Sequence, residues 1–159
     1  MIFSKKCEYA IKALIHLCIH SDEDTKLNIT DISDSIHSPM HFTSKILQEL
    51  ARHKIVSSSK GLGGGFYLNN SQKNVPIRDV IDIIDGKELL SQCGLGLKKC
   101  SSVNPCPIHN EFVKYSEQLK QALANKSISV LSLGVAKGTS FIINQNEEIL
   151  KIGQKSPIR

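Results

Sequence analysis

The sequence predicts a mainly α-helical fold with one small β-hairpin, and three observations carry that reading. Apolar residues recur three or four positions apart over residues 4–20, 40–53 and 108–122. A single stretch, "IVSSSKGLGGGFYLNN", reads as strand, glycine turn and strand. No internal repeat or extended low-complexity tract breaks up the chain of 159 residues, which suffices for one domain with a real core plus an extended arm.

Taken in order, Cys7, Ala10, Ile11, Leu14, Leu17 and Cys18 form one buried stripe over residues 4–20, with Ser4 as the cap. Both cysteines are therefore expected to be structural. The polar run "SDEDTK" is a loop, after which Thr30 is expected to cap a short helix with Ile32 and Ile36 inward. Pro39 in "HSPM" ends that helix, because proline disfavours helical geometry at the residue before it, and is itself tolerated in the first turn of the next. A second amphipathic helix runs from about Met40 to His53, with Phe42, Ile46, Leu47 and Leu50 on one face. Its other face carries His41, Thr43, Ser44, Lys45, Gln48 and Arg52. Two helices joined by a tight turn, the second showing short polar and basic side chains, match a helix-turn-helix; an ordinary helical pair with a solvated face gives the same pattern.

The hairpin that follows tips the balance. Strands are expected at Val56–Ser59 and Phe66–Leu68, with Gly61 to Gly65 permitting positive φ and close backbone approach. A hairpin directly after such a helix is a wing. Lys60 stands at the edge of a tip expected to be free of bulky side chains, which suits a minor groove, with Gly61, Gly63 and Gly64 bringing backbone to it. A phosphate-cradling loop would need a Lys-Ser or Lys-Thr pair opening a helix, and here a strand follows.

"VPIRDVIDIIDG" is a short helix with Ile77, Val80, Ile81 and Ile84 inward, Gly86 closing it, and Asp79, Asp82 and Asp85 on a solvated face. Pro107 is placed to start a long helix in which Ile108, Phe112, Tyr115, Leu119 and Ala122 average 3.5 residues apart, the spacing of a coiled-coil seam. That helix has little core of its own to enter, so a second copy of the chain is its expected neighbour. "SISVLSLGV" reads as a last short helix and the polar tail after it as loosely ordered. The organisation is thus a winged helix-turn-helix domain at 1–86, a cysteine-bearing loop at 87–110, a dimerisation helix region at 108–136 and a flexible tail at 137–159.

The formal net charge of +5 permits a polyanionic partner. Residues 37–60 hold Lys45, Arg52, Lys54 and Lys60 against Glu49 alone, with His37, His41 and His53 beside them, which makes this window the expected face for double-stranded DNA. The charged, apolar start has no cleavage site and no stretch suits a bilayer, so a cytoplasmic protein without a membrane partner is expected. There clustered cysteines point to metal or redox chemistry rather than stapling. Three of the five fall in "CGLGLKKCSSVNPCPIH": Cys93, Cys100 and Cys106, separated by six and five residues.

With "SKKCEYAIKAL", "TSKILQELARHKIVSSSKGLGGGFYL", "VPIRDVIDIIDG" and the three cysteines ahead of a long helix, the chain over roughly residues 1–135 resembles the winged-helix transcription regulators of the IscR and NsrR type, the Rrf-two family. The resemblance implies a homodimer whose recognition helix reads the major groove and whose wing reaches the minor groove. By position, His41, Thr43, Ser44 and Lys45 would face bases or phosphates. Lys60 stands where the family usually has an arginine, and lysine lacks the planar two-pronged contact. The resemblance also implies that Cys93, Cys100 and Cys106 ligate an iron–sulfur cluster, with a fourth ligand supplied by His109 or by Glu8 from the partner's first helix. The first cysteine interval is one residue longer than the commonest family spacing.

Zinc also accepts three cysteines and a histidine, but structural zinc sites usually contain a Cys-x-x-Cys chelate and this chain has none. The wider spacing favours a cluster, [2Fe–2S] or [4Fe–4S], over zinc. Gly94 and Gly96 would let backbone N–H groups approach sulfide, and Lys98 and Lys99 would offset anionic charge. Local alternatives stand for the fourth ligand: Lys12 lies one turn from Glu8 as an ion-pair partner, and His109 fits a first helical turn. Such a centre would sense redox state, nitric oxide or iron–sulfur status. Two rivals remain, a metal-free thiol switch on the same DNA-binding body and an enzyme with Cys106 as nucleophile and His109 as base. The enzyme needs an orienting group and an oxyanion site that the sequence does not offer, and no small-molecule substrate is expected.

Overall fold

The structure, a computed structural model, describes residues 2–144, so residues 145–159 of the expected tail lie outside the described residues. The element order is α1 (Lys5–His20), α2 (Ile29–Ser35), α3 (Met40–Arg52), β1 (Ser57–Ser59), β2 (Gly65–Tyr67), α4 (Asn70–Lys73), α5 (Ile77–Ile84), α6 (His109–Ala124) and α7 (Ile128–Ala136). This mostly helical chain with one antiparallel pair is a winged helix-turn-helix with a long additional helix, as the periodicities predict.

Helix α1 starts at Ser4, whose Oγ accepts from the Cys7 amide at 3.1 Å. Ser4 also donates its amide, at 2.9 Å, and its hydroxyl to Asp85. Asp85, expected on a solvated face, is therefore a tie between the end of α5 and the start of α1. The stripe along α1 buries Cys7, Ala10, Leu14 and Leu17 completely, while Ile11 and Cys18 are only partly covered and pack at the edge of the core. Residues from α2, α3, α5 and α7 close over it, among them Ile32, Leu47, Ile81 and Ile128, each worth roughly 1.5–3 kcal/mol when fully removed from water.

One local expectation needs correction, and two further features leave no local sequence signal. Asn28, not Thr30, caps α2: its side chain accepts from the Asp31 amide at 2.9 Å, three residues on, where the first unpaired amides of the helix lie. Helix α4 is opened by a capping box between Asn69 and Gln72, a single turn too short to leave a periodic trace. And α7, grouped with the dimerisation region from the sequence, folds back on α1 and buries Ile128 in the same core, pinned by hydrogen bonds from Ile77 N to Lys126 O and from Ile128 N to Val75 O. Among the described helices α6 alone has no fully buried residue, touching the core only through the partly covered Leu123.

Both turns around α3 end their helices the same way. After α2, His37 N bonds Asp34 O and Ser38 N bonds Ser33 O; after α3, Lys54 N bonds Ala51 O and Ile55 N bonds Leu50 O. These are Schellman closures, and their left-handed residues are His37 (φ 52°) and Lys54 (φ 60°) where glycine is usual. The wing pairs Ser57 with Tyr67, Ser58 with Phe66 and Ser59 with Gly65, while Leu27 adds a bridge to Phe66 on the other side. Gly65 is required there, since a Cβ would run into the Leu27 carbonyl.

Replacing Ser4 by alanine (Ser4→Ala) removes the cap of α1 and one of its two bonds to Asp85 together. The expected result in urea denaturation is a loss of about 1–2 kcal/mol with an unchanged slope.

Candidate functional site

The outer face of α3 presents His41, Lys45, Gln48 and Arg52 to solvent, with Ser44 partly covered and bonded to Gln48 Nε2 at 3.1 Å. Glu49, the acid among these cations, is taken up by Lys6 of α1 at 2.7 Å. Two expectations about this helix change. Thr43 is completely buried: its Oγ1 bonds Pro39 O at 3.1 Å and lies against Ser38 Oγ, so it ties the helix to the preceding turn rather than facing a ligand. Side chains in the first turns of a helix lean towards its N-terminus, which carries Thr43 onto that turn. Phe42, expected inward, is instead 37% exposed and packs edge-on against Tyr9 with ring centroids 5.9 Å apart.

The wing is held to this helix by Gln72, a buried residue that sequence reasoning missed because it lies in α4. Its Nε2 donates to Lys54 O at 3.0 Å, and its Oε1 accepts from Ser57 Oγ at 3.1 Å and from the Asn69 amide at 3.0 Å. Strand β1 and the chain just after β2 thereby share one anchor with the turn that follows α3. Lys60, Gly61 and Gly63 are exposed at the tip and Gly64 is partly covered. The tip is not free of bulk: Leu62 protrudes between its glycines without cover.

The three loop cysteines converge. Their sulfurs all lie within 4.8 Å of one another, Cys93 and Cys106 at 3.6 Å, and all five cysteines of the chain are free thiols. Turns at residues 93–96 and 101–104 close the loop, the first through Gly96 at φ 70°. His109, in the first turn of α6, holds Nδ1 at 3.1 Å from Cys100 Sγ but lies outside the group of three sulfurs. Glu8, expected to act only from a partner's first helix, pairs with Lys5 at 2.7 Å within its own chain, while Lys12, the local partner expected for it, sits over the Tyr9 ring.

Electrostatics differ among the thiols. The amides of Leu95 and Leu97 point at Cys93 and hold it down to about 7, an approach of backbone to sulfur that the glycine-bearing turn allows. At Cys100 the Cys106 amide favours thiolate, but burial and the neighbouring sulfurs outweigh it and the thiol sits above its usual range. Burial pushes Cys7 up to about 12, helped by Asp85, which suits a structural role.

A cavity of about 200 Å³ opens beside the sulfurs, lined by Cys93, Cys100, Cys106, His109 and the α6 side chains Phe112 and Val113. Gly94 also lines it and lies against α6, where a Cβ would come 2.7 Å from Phe112 and 3.2 Å from Ile108. The donor set suits a thiophilic centre. The 3.6 Å sulfur pair is close to the edge of a tetrahedron around one zinc, about 3.8 Å from the usual Zn–S length. The cavity, several water volumes in size, leaves room for something larger than one ion. The same helix carries the expected seam, in which Ile108, Phe112 and Tyr115 are exposed and Tyr115 is 62% open to solvent.

The family model "Rrf2: Iron-dependent Transcriptional regulator" matches residues 3–132. An HTH-type transcriptional regulator of Aquifex aeolicus is 30% identical over 133 residues, covering 82% of this chain and 91% of that one. The HTH-type transcriptional regulator IscR of Yersinia pestis is 25% identical over 131 residues, covering 82% and 79%. Among solved structures, CymR (YrzC), the global cysteine regulator of B. subtilis, is similar in fold, with a TM-score of 0.69, 18% identity and coverage of 87% and 98%. Among the described residues no helix is long and apolar enough to cross a membrane.

Alkylation requires thiolate, so in metal-free protein Cys93 is expected to react first. Its rate with iodoacetamide, followed by mass spectrometry, rises through about pH 7, Cys100 follows only in more alkaline solution, and Cys7 stays unmodified while the chain is folded.

Proposed function

The chain belongs to the Rrf2 (Rrf-two) family of transcriptional regulators, and from that premise we propose that it is a homodimeric DNA-binding regulator whose grip is set by an iron–sulfur cluster held on Cys93, Cys100 and Cys106. The observation that supports the reading is the convergence of three sulfurs beside α6, the one described helix with no fully buried residue. His109 is the fourth ligand this geometry favours, given its 3.1 Å approach to Cys100. Glu8 would serve only from a partner's first helix.

A bound cluster supplies redox and ligand-exchange chemistry at iron. The chain's own residues do the rest. Cys93, held down to about 7 by the Leu95 and Leu97 amides, gives up its proton most readily, the loop turns hold the sulfurs together, and Gly94 seats the loop under Phe112 and Ile108. A change of loop shape is therefore felt on the seam that would join two copies, and through it by two winged heads on one duplex. On DNA, His41, Ser44, Lys45, Gln48 and Arg52 form the major-groove face and Lys60 the wing's cationic contact. Thr43 is withdrawn from that set by its burial.

A second reading keeps the DNA-binding body and gives the loop a single zinc ion, which the 3.6 Å sulfur pair suits, or no metal, with the thiols themselves as the switch. Metal analysis after anaerobic purification separates the readings. Iron with acid-labile sulfide and visible absorption is expected; stoichiometric zinc, or neither metal, overturns the cluster. The body is tested by salt. Association with a duplex selected from a random-sequence pool should weaken steeply as salt rises, and Lys45→Ala or Arg52→Ala should each lower that log–log slope by about one.

A further inference from the structure

The wing tip holds an apolar side chain with nothing to pack against. Leu62 has a relative exposure of 109%, while the rest of the tip is glycine and Lys60. Gly64 N bonds Gly61 O at 2.9 Å, and Gly63 lies at φ 77°, so residues 61–64 form a turn of type II pattern in which the third position demands glycine and the second accepts almost anything. Leu62 occupies that free second position. Beneath it the loop is fixed, because Gly64 is packed against the backbone of Ser59 and Gly61, and Gly65 against Leu27. A single exposed leucine on a broad surface calls for no account. Here it is the outermost group of a braced hairpin, two residues from an exposed cation, on the element that follows the basic helix α3.

From this the geometry points to Leu62 as an apolar wedge that enters the minor groove and partly unstacks a base step, with Lys60 on the flanking phosphate. Burying a leucine that is open to water in the free protein is favourable, and side chains of this kind are what minor-groove proteins drive between bases. Pyrimidine–purine steps resist least, so the wing would select TA or CA/TG at one position without any hydrogen bond to a base edge. This supplies sequence preference at a site where lysine replaces a planar guanidinium and cannot read two acceptors at once. The inference rests on the DNA-binding reading above.

The test uses a duplex selected by the wild-type full-length protein from a random-sequence pool, carrying 2-aminopurine in turn at each step under the wing. Wild-type protein is expected to brighten one such position, and the selected pool to hold a pyrimidine–purine step there. Leu62→Ala should bind about tenfold more weakly with the same salt slope and without the fluorescence change, and selection with it should lose the step preference. Leu62→Met should retain the signal, and Lys60→Ala should lower the salt slope by about one and keep it. Because Leu62 touches nothing in the folded chain, matched thermal midpoints will show that each variant is folded. Leu62→Ala binding within twofold of wild type with unchanged fluorescence overturns the wedge and leaves the regulator standing. So does a change in oligomeric state with no change on DNA, which would assign Leu62 to a protein contact. Wild-type protein that shows no salt-sensitive binding to any duplex overturns both readings.

Discussion

The winged head is arranged around the burial of α1. One side of that helix packs on α3, another on α5 and a third on α7, with its small residues Ala10 and Ala13 admitting close neighbours. Removing its apolar stripe from water drives the assembly, and the orientation of every functional element follows from it. Helix α3 is set with its basic face outward because Ile46, Leu47 and Leu50 must meet α1. The start of α1 is in turn tied to the end of α5 through Ser4 and Asp85, which fixes where the cysteine loop departs.

The loop and α6 behave differently from this head. Neither contributes much to the core: the loop is largely exposed and α6 has no buried residue, yet the three sulfurs meet and Gly94 is pressed under Phe112. A segment with so little apolar burial has low local stability and responds readily to whatever its thiols hold. The head is well packed and carries the proposed DNA face, whereas the loop is sparsely packed and lies against the helix proposed to join a second copy. That division of stability gives a sensor something to move without unfolding what it moves.

Much of this was legible from residue spacing. Helices α1, α3, α5 and α6, the hairpin and the Ser4 cap all declare themselves through apolar period, glycine and capping residue. What stayed hidden has physical reasons. Thr43 looks like an outward polar residue by helical projection, but a hydroxyl next to a tight turn finds backbone to bond and is drawn in. The closures at His37 and Lys54 lack the glycine that marks such ends. Helix α4 is one turn long, so Gln72, which joins the wing to α3, gives no periodic signal. The return of α7 onto α1 is a long-range contact that no local pattern encodes. Three cysteines with wide gaps announce a thiol site, but their meeting depends on two turns between them, and the thiolate character of Cys93 depends on two backbone amides.

The central claim is that the contents of the cysteine loop set how tightly the winged heads hold DNA. The most direct measurement is the affinity of one selected duplex, at fixed salt, for the protein as purified anaerobically and for the same protein after chelation removes its metal. A difference of at least about fivefold, absent in Cys106→Ser, is the predicted result. Equal affinities for the two forms, with the metal shown to be present in one and absent from the other, would contradict it.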